Sequence, residues 1–362
     1  GSGTSSNMNA NEVLARLAAD ESGLEVSPND HVNLGQSSND VIPSALHLAA
    51  ALQIHEALEP ALTALVAAID TRAREFADLA KTGRTHLMDA MPLTLGQEFG
   101  AWSSQIGAVL DRLIDTRPRL HRLALGGTAV GTGINADPQF AERTIAELSR
   151  HTGLDLAPDP DRFRALSSQD TASEVSGQLR TGAVAVMKIA NDLRWMNSGP
   201  LAGLGEVELE ALQPGSSIMP GKVNPVLPEA VAMAAARIIG NDTTITVAAQ
   251  SGNFQLNVML PVIADTLLES IGLLAGAARA LDRTLTGLRA RTGSLQAPLA
   301  RNPVLVTALN PVIGYLKAAE IAKRAYADGR PILDVAEEMT DLDRDELERL
   351  LDPVRLTRGG LG

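Results

Sequence analysis

The stretch that decides the fold runs from Val175 to Leu193 and reads VSGQLRTGAVAVMKIANDL. Its apolar residues recur in steps of four and three, with one glycine on the same line: Val175, Leu179, Gly182, Val186, Ile189 and Leu193. This spacing is typical of a seam between packed helices. Glycine weakens a helix, so we expect a neighbouring helix to approach closely at Gly182.

Two further segments have the same character. Leu58, Leu62, Leu65 and Ile69 fall on one helical face, and the segment from Leu260 to Leu288 is apolar and lightly charged. Few runs alternate with the period of a β-strand, so we predict an all-α fold. Helices that are apolar on several faces need several partners, as in the centre of an oligomer.

Composition excludes several classes of function. The 43 acidic and 31 basic residues give a net charge of -12, which argues against nucleic acid as a partner. The absence of cysteine excludes disulfides, thiolate nucleophiles and Cys-ligated iron–sulfur clusters. No run approaches eighteen uninterrupted apolar residues and no signal pattern opens the chain, so we expect a soluble, cytoplasmic protein without a membrane partner.

The strongest chemical signal is GSSIMPGKVNP, from Gly215 to Pro225. It offers two hydroxyls, an ammonium and an amide just before a helix that we expect to begin near Pro225, a combination that suits a carboxylate. A phosphate-binding P-loop is excluded because the glycine spacing is one residue too long and Val223 follows Lys222. From the residues alone, a surface loop and an anion site both remain open.

The same segment resembles the signature of the fumarase/aspartase superfamily, and Gly221 is the residue that fumarases have there. Five other segments resemble segments of class II fumarate hydratases and occur in the same order. They are GSGTSSNMN from Gly1, GQSSND from Gly35, GRTHLMDAMPLTLGQEF from Gly83, GGTAVGTGINA from Gly126 and LVTALNPVIGYLKAAEIAK from Leu305. The resemblance covers essentially the whole chain. It implies reversible anti addition of water to fumarate, giving L-malate.

The resemblance also implies an architecture. We expect a long-helix bundle with small flanking domains: residues 1–43 as the remainder of an N-terminal lyase domain, 44–292 as the central bundle and 293–362 as a small C-terminal helical domain. We expect a homotetramer whose active sites are shared between chains, a small dicarboxylate substrate, and neither cofactor nor metal. In such enzymes a substantial segment precedes the GSGT motif, so we expect that this sequence lacks it.

The roles of the family's residues carry over position by position. The resemblance makes Ser216 the base that takes the C3 proton of malate, His86 the acid/base that handles the water, and Glu229 the carboxylate that orients His86. Without it, His86 and Glu229 would be read as a structural histidine and a helix-terminal acid. It implies substrate binding by a larger set: Ser2, Gly3, Thr4, Ser37, Ser38, Asn39, Thr85, Ser217, Lys222, Val223 and Asn224.

Chemistry explains these residue types. Removal of a proton beside a carboxylate builds a second negative charge on it, giving an aci-carboxylate. Preorganised donors and a cation must point at that charge, and Lys222 and Asn224 supply them. A serine is a very weak base, so Ser216 requires local positive charge and hydrogen bonds.

Three sequence features limit or compete with this interpretation. Many fumarases have a histidine before a Pro-Asn-Asp turn that binds a second carboxylate; here the turn is Ser27, Pro28, Asn29 and Asp30, and we expect that site to be weak or absent. Gln255 is more typical of aspartases, so aspartate ammonia-lyase is the alternative function. A non-catalytic structural homologue, as in lens, is the third, and the retained site residues argue against it.

A loose dinucleotide fingerprint also occurs, at Gly131, Gly133 and Ala136. We expect no strand before it and no βαβ unit around it, and therefore no nucleotide. The five remaining histidines show no metal-ligand spacing and are expected to be structural: His31, His47, His55, His121 and His151.

Overall fold

The computed structural model describes residues 1–360. The all-α prediction is confirmed. The helices are α1 (Thr4–Ser22), α2 (Ser38–Gln53), α3 (Glu59–Glu75), α4 (Leu95–Leu120), α5 (Phe140–Thr152), α6 (Arg162–Ser167), α7 (Asp170–Met196), α8 (Val226–Ala249), α9 (Leu260–Thr286), α10 (Thr292–Ala300), α11 (Asn310–Ile313), α12 (Tyr315–Asp328), α13 (Ile332–Met339), α14 (Arg344–Leu351) and α15 (Pro353–Leu356).

Short strands lie between the helices: β1 (Ala80–Thr85), β2 (Met88–Thr94), β3 (Arg122–Leu123), β4 (Ala157–Pro158), β5 (Val207–Glu208) and β6 (Arg289–Ala290). They pair as β1–β2, β3–β4 and β5–β6, each pair a two-stranded sheet. Single π-helical turns occupy Pro28–Val32 and Ile54–Leu58, and a 3-10 helix spans Pro303–Leu309.

The predicted seam lies on α7, where all five apolar side chains of the seam are fully buried. A Cβ on Gly182 would lie 2.8 Å from Leu274 Cδ2 of α9 and 3.1 Å from Val109 Cγ1 of α4. The expected close approach of a neighbouring helix is therefore confirmed, and it explains why glycine is tolerated inside this helix. Burial of each seam leucine stabilises the fold by about 2 kcal/mol.

The chain divides into two compact units. The first comprises Gly1–Ala64, Ile106–Lys188 and Ala230–Ala280; the second comprises Leu65–Gln105, Ile189–Glu229 and Leu281–Gly362. In the second unit, Leu309, Ile321, Val335 and Leu347 form a small apolar core at the end of the chain. That core fits the C-terminal domain expected from residue 293, although the three sequence boundaries stay a prediction.

Two segments that carry motifs form regular secondary structure. Lys81–Pro92 belongs to an antiparallel hairpin, with Ala80 opposite Thr94 and Thr85 opposite Met88. Its turn lacks the Asn-Gly signal that marks hairpins in a sequence, so pattern reasoning missed it. Most of Gly1–Asn9 is helical because α1 already begins at Thr4.

Two helical segments are long and apolar enough to cross a membrane by length and composition alone, Ser38–Glu75 and Leu260–Thr286. Core helices of other proteins pass the same test. Half of the apolar window in Leu260–Thr286 is buried inside the chain. Burial of this kind is what a bundle helix requires.

Candidate active site

Two motif loops meet at the starts of two helices in the first unit. Ser2 and Gly3, with φ of 54° and 88°, lead directly into α1. A Cβ on Gly3 would lie 2.8 Å from Ile42 Cγ1 of α2, so this approach requires glycine. Asn7 Nδ2 donates to Ser38 Oγ at 3.1 Å. The structure thus brings together six of the predicted substrate-binding residues: Ser2, Gly3, Thr4, Ser37, Ser38 and Asn39.

The first turn of α2 is held by a capping box. The Ser37 N–H donates to Asp40 Oδ1 at 2.9 Å, and the Asn39 N–H donates to Ser37 Oγ at 3.2 Å. A helix N-terminus carries partial positive charge and free N–H groups, which favour a carboxylate. The resemblance-based role of Ser37, Ser38 and Asn39 is therefore physically reasonable.

Asp40 joins a third motif loop to this pair. Its Oδ2 accepts from the N–H groups of Gly126 and Thr128, each at 2.9 Å, and Asn39 Nδ2 donates to Ala129 O at 2.8 Å. Burial raises the pKa of Asp40, and the backbone hydrogen bonds from Ser37, Thr128 and Gly126 oppose that rise. A buried carboxylate with three N–H donors fixes both loops.

The expectation that no strand precedes the glycine-rich loop is wrong, and so is the expectation that no βαβ unit surrounds it, because β3, α5 and β4 form a short one. Strand β3 ends just before Gly126, and it pairs in parallel with β4 after α5. Each strand has only two residues, too short to show in the hydrophobic pattern. Within the fingerprint, the N–H groups of Gly131 and Gly133 both donate to Gly127 O, at 2.9 and 3.2 Å, so these two donors are not free for a pyrophosphate. That no nucleotide binds stays a prediction.

His86 lies at the tip of the β1–β2 hairpin in the second unit. His86 and Leu87 both have positive φ, 54° and 60°, which makes a two-residue turn of type I′. The imidazole, Thr85 and Leu87 are exposed. Two residues before His86, the Arg84 guanidinium forms an ion pair with Glu206. The tip of the hairpin therefore leaves the His86 side chain exposed.

The Ser216 loop is closed at its neck. The Gly215 N–H donates to Lys222 O at 2.9 Å, and Asn224 Nδ2 donates to Gly215 O at 2.7 Å. Inside the loop, Ser216 Oγ accepts from the N–H groups of Ile218 and Met219, at 3.2 and 3.0 Å. Both N–H groups stabilise negative charge on that oxygen.

Four predicted site residues border one cavity of about 460 Å³. Lys222, Val223, Asn224 and Glu229 contribute from the loop and the first turn of α8. The other wall comes from the end of α7 and the residues after it: Asn191, Arg194, Trp195, Asn197, Ser198 and Gly199. An exposed ammonium, an amide and N–H groups at a helix start make this cavity suitable for a carboxylate. Ser216 and Ser217 lie on the same loop but outside the lining of this cavity.

The predicted pairing of Glu229 with His86 is not formed within one chain. Throughout residues 1–360, no hydrogen bond or ion pair joins His86 to Glu229 or to Ser216. Glu229 is half-buried and its N–H donates to Pro225 O at 3.1 Å. Its orienting role stays a prediction.

The turn at Ser27, Pro28, Asn29 and Asp30 satisfies its own polar groups. Ser27 Oγ accepts from the Asp30 N–H and donates to Asp30 Oδ2, both at 3.0 Å. The Ser27 N–H donates to His31 Nδ1 at 2.9 Å. Donors used in this way are not available to a ligand, which agrees with the expected weakness of a second carboxylate site. That expectation stays a prediction.

No group of three or more His, Asp or Glu side chains in residues 1–360 is arranged to hold a metal ion. The donors named above suit carboxylates instead. They are hydroxyls, amides, backbone N–H groups and one ammonium, and most of them donate rather than ligate.

Sequence reasoning missed four side chains that shape the site. Asp40 lies inside the quoted GQSSND motif, and Arg84 lies inside GRTH, so the motifs contained both without a stated role. Trp195 and Glu206 carried no signal, because nothing in a helical pattern shows that they lie beside residues far away in the chain.

The chain is similar to well-described families and proteins. Residues 1–240 match the family described as Lyase, and residues 305–358 match the family described as Fumarase C C-terminus. A Pseudomonas aeruginosa protein named fumarate hydratase class II 2 is 63% identical over 362 residues, 100% of this chain and 79% of that protein. A Xylella fastidiosa fumarate hydratase class II is 60% identical over 100% of this chain and 76% of its own length. The crystal structure of the Schistosoma mansoni class II fumarase superposes with a TM-score of 0.93 at 35% identity, covering 98% of this chain and 79% of that one.

Proposed function

We propose that Ser216, His86 and Glu229 carry out the hydration of fumarate in this enzyme. The proposal proceeds from the fact that this chain belongs to the class II fumarate hydratase family. The enzyme is a hydro-lyase that interconverts fumarate and L-malate. The relatives are named for water addition, which decides against aspartate ammonia-lyase despite Gln255. The roles of individual residues below are our proposal.

The proposed reaction uses the Ser216 loop and His86 on opposite faces of the substrate. In dehydration, Ser216 Oγ removes the C3 proton of malate, and the C3 electron pair moves into the adjacent carboxylate to give the aci-carboxylate. His86 then protonates the C2 hydroxyl, which leaves as water while the double bond forms. Hydration is the reverse, and the two-sided proton transfer makes it an anti addition.

One observation carries this proposal: Ser216 Oγ accepts two backbone N–H groups, at 3.2 and 3.0 Å, in a loop that also contains Lys222. Hydrogen bonds and positive charge are what a serine needs to act as a base. Lys222 and Asn224 face the cavity beside this loop and are proposed to hold the carboxylate that gains charge. The same role in binding substrate is proposed for Ser217, Val223 and Thr85, and for Ser2, Gly3, Thr4, Ser37, Ser38 and Asn39.

Fumarate absorbs in the ultraviolet and malate does not, so one assay tests the reaction. Purified protein mixed with L-malate should generate the absorbance of fumarate, and the same protein mixed with L-aspartate should not. Hydration in D₂O should place deuterium at C3 in a single configuration, the one set by anti addition. A rise of equal rate with aspartate would overturn the assignment to water.

We propose further that the enzyme is a homotetramer whose sites combine residues of several chains. The support is the hairpin tip, where His86 is unpaired with Glu229 and adjoins Leu87 and Met88, which are 73% and 69% exposed. Apolar side chains beside a site are unfavourable in water and favour another chain. We also propose a cytoplasmic location, which cell fractionation tests.

Hybrid enzymes test the shared sites sharply. Ser216→Ala and His86→Asn homotetramers, each with strongly reduced activity, would be unfolded together and refolded at equal amounts. If each site takes Ser216 and His86 from different chains, about a quarter of the sites regain both residues. A mixture without recovered activity would contradict shared sites, and sedimentation of an active monomer would contradict the tetramer.

A further inference from the structure

We propose that Glu206 is a positioning residue for His86, a role that rests on the proposed function of His86. Glu206 is only 4% exposed and lies just before β5. It touches none of the residues assigned to substrate. Its contacts instead reach the strand that ends in the histidine.

The Glu206 carboxylate joins two cations of β1. Its Oε2 accepts from Lys81 Nζ at 2.8 Å, and its Oε1 forms an ion pair with Arg84 Nη2. Lys81, fully buried, also donates to Glu98 Oε2 at 2.7 Å. The cluster is balanced, with two cations and two carboxylates. Buried charges are costly unless paired, and a displaced Glu206 would leave the two cations of β1 with the Glu98 carboxylate alone.

The backbone of Glu206 is held on both sides. Its N–H donates to Met196 O at the end of α7, at 2.8 Å, and its carbonyl accepts from the Arg291 N–H, at 2.9 Å. A carboxylate on a fixed backbone with fixed partners is a rigid anchor. Glu206 therefore fixes the position of β1 relative to the end of α7.

The turn that follows this anchor is one that the residues do not favour. His86 and Leu87 both have positive φ, although type I′ turns normally use Asn and Gly. Such a conformation costs free energy and persists only where the surrounding structure determines it. The opposite strand has an anchor too, because Asn302 Nδ2 donates to Ala90 O at 2.9 Å. Glu206, which binds β1, and Asn302, which binds β2, therefore hold the strained turn from both strands.

Position matters more than affinity for a group that only transfers a proton. Proton transfer requires donor and acceptor about 3 Å apart, so a small displacement of His86 slows the chemical step. The substrate carboxylates are held by other residues, and their binding should not change. Loss of the Glu206 charge should therefore lower kcat and leave KM nearly constant.

The experiment begins with Glu206→Gln, which keeps the shape and loses the charge. We expect kcat to fall about 10-fold or more, with KM within about 2-fold of wild type. Glu208→Gln is the matched control, because Glu208 lies on β5, two residues after Glu206, and its exposed carboxylate pairs with Arg291 at 3.0 Å. That variant should keep wild-type kcat. If Glu206→Gln fails to fold, Arg84→Lys takes its place, since it keeps the charge and loses the forked contact.

A double-mutant cycle with His86→Asn separates positioning from general damage. If Glu206 acts through His86, adding Glu206→Gln to His86→Asn causes no further fall in kcat. If the two losses multiply, the positioning role is wrong while the function of His86 stands. If His86→Asn alone keeps wild-type kcat, the proposed function of His86 is what fails.

Discussion

Ser216 Oγ lies 3.0 Å from the backbone nitrogen of Met219 and accepts its hydrogen bond. The loop therefore supplies from its own backbone part of the stabilisation that a serine base requires, before any substrate is bound. Charge on Ser216 Oγ is favoured by such preorganised dipoles because they need not reorient during the reaction.

Ser216→Ala should abolish turnover while an inert dicarboxylate analogue still binds. The hydroxyl acts on the proton, and the carboxylates are held by other groups, so we expect kcat to fall about 1000-fold or more. Calorimetric titration with the analogue should give an affinity within a few-fold of wild type. Normal turnover in this variant would remove Ser216 from the mechanism.

Lys222→Ala should weaken binding and turnover together. The ammonium neutralises a carboxylate in both the bound substrate and the transition state, where the charge is larger. We expect kcat/KM to fall about 100-fold, with KM raised as well as kcat lowered. Lys323→Ala is the control, because Lys323 is an exposed lysine of α12 in the same unit. An unchanged KM for Lys222→Ala would contradict a role in binding.

The helices and motifs could be predicted from the sequence, but the contacts between distant parts of the chain could not. The seam on α7 could be predicted because all six of its positions between Val175 and Leu193 are buried, as the period requires. The hairpin was not, because His86-Leu87 is an unusual type I′ turn. The Arg84–Glu206 pair joins residues 122 positions apart, and no local pattern encodes such a distance. The motif loops were recognised by resemblance, yet the contact of Asp40 with Gly126 and Thr128 needed coordinates.

Asp40→Asn should destabilise the first unit, by an amount that depends on pH. The side-chain amide of Asn has one oxygen where the carboxylate of Asp40 has two, so at least one backbone N–H is left without an acceptor. This should lower the free energy of unfolding by about 1–3 kcal/mol. Burial raises the pKa of Asp40 above its ordinary 3.8, so the folded chain binds this proton more tightly than the unfolded chain. The stability contributed by Asp40 is therefore largest below pH 3.8 and falls as pH rises through the raised folded value.

Urea unfolding of wild type and Asp40→Asn at several pH values measures this slope. The difference in free energy of unfolding should narrow as pH rises from 3.8 and become constant once Asp40 is ionised in the folded chain. A difference that grows with pH would mean that the hydrogen bonds outweigh burial and that the pKa of Asp40 is lowered.

Chelation should leave the enzyme active. The sequence has no cysteine for an iron–sulfur cluster, and no metal-ligating cluster of His, Asp and Glu exists among residues 1–360. Activity should stay within about 2-fold of the untreated protein after dialysis against EDTA, because proton transfer and binding rest on side chains and N–H groups. Activity lost on chelation and restored by one added metal would contradict this mechanism.

His86→Asn should lower kcat about 100-fold or more and remove one side of the pH profile. During hydration His86 gains a proton from water while Ser216 gives one to C3, so the enzyme's total proton count does not change. Hydration and dehydration therefore start from forms with the same number of protons, and kcat/KM should be bell-shaped against pH in both directions. With the imidazole replaced, the limb that reports its protonation should disappear for fumarate and for malate alike. His151→Asn, on an exposed histidine of α5, should keep both limbs. An intact bell in His86→Asn would assign the proton transfer to another group.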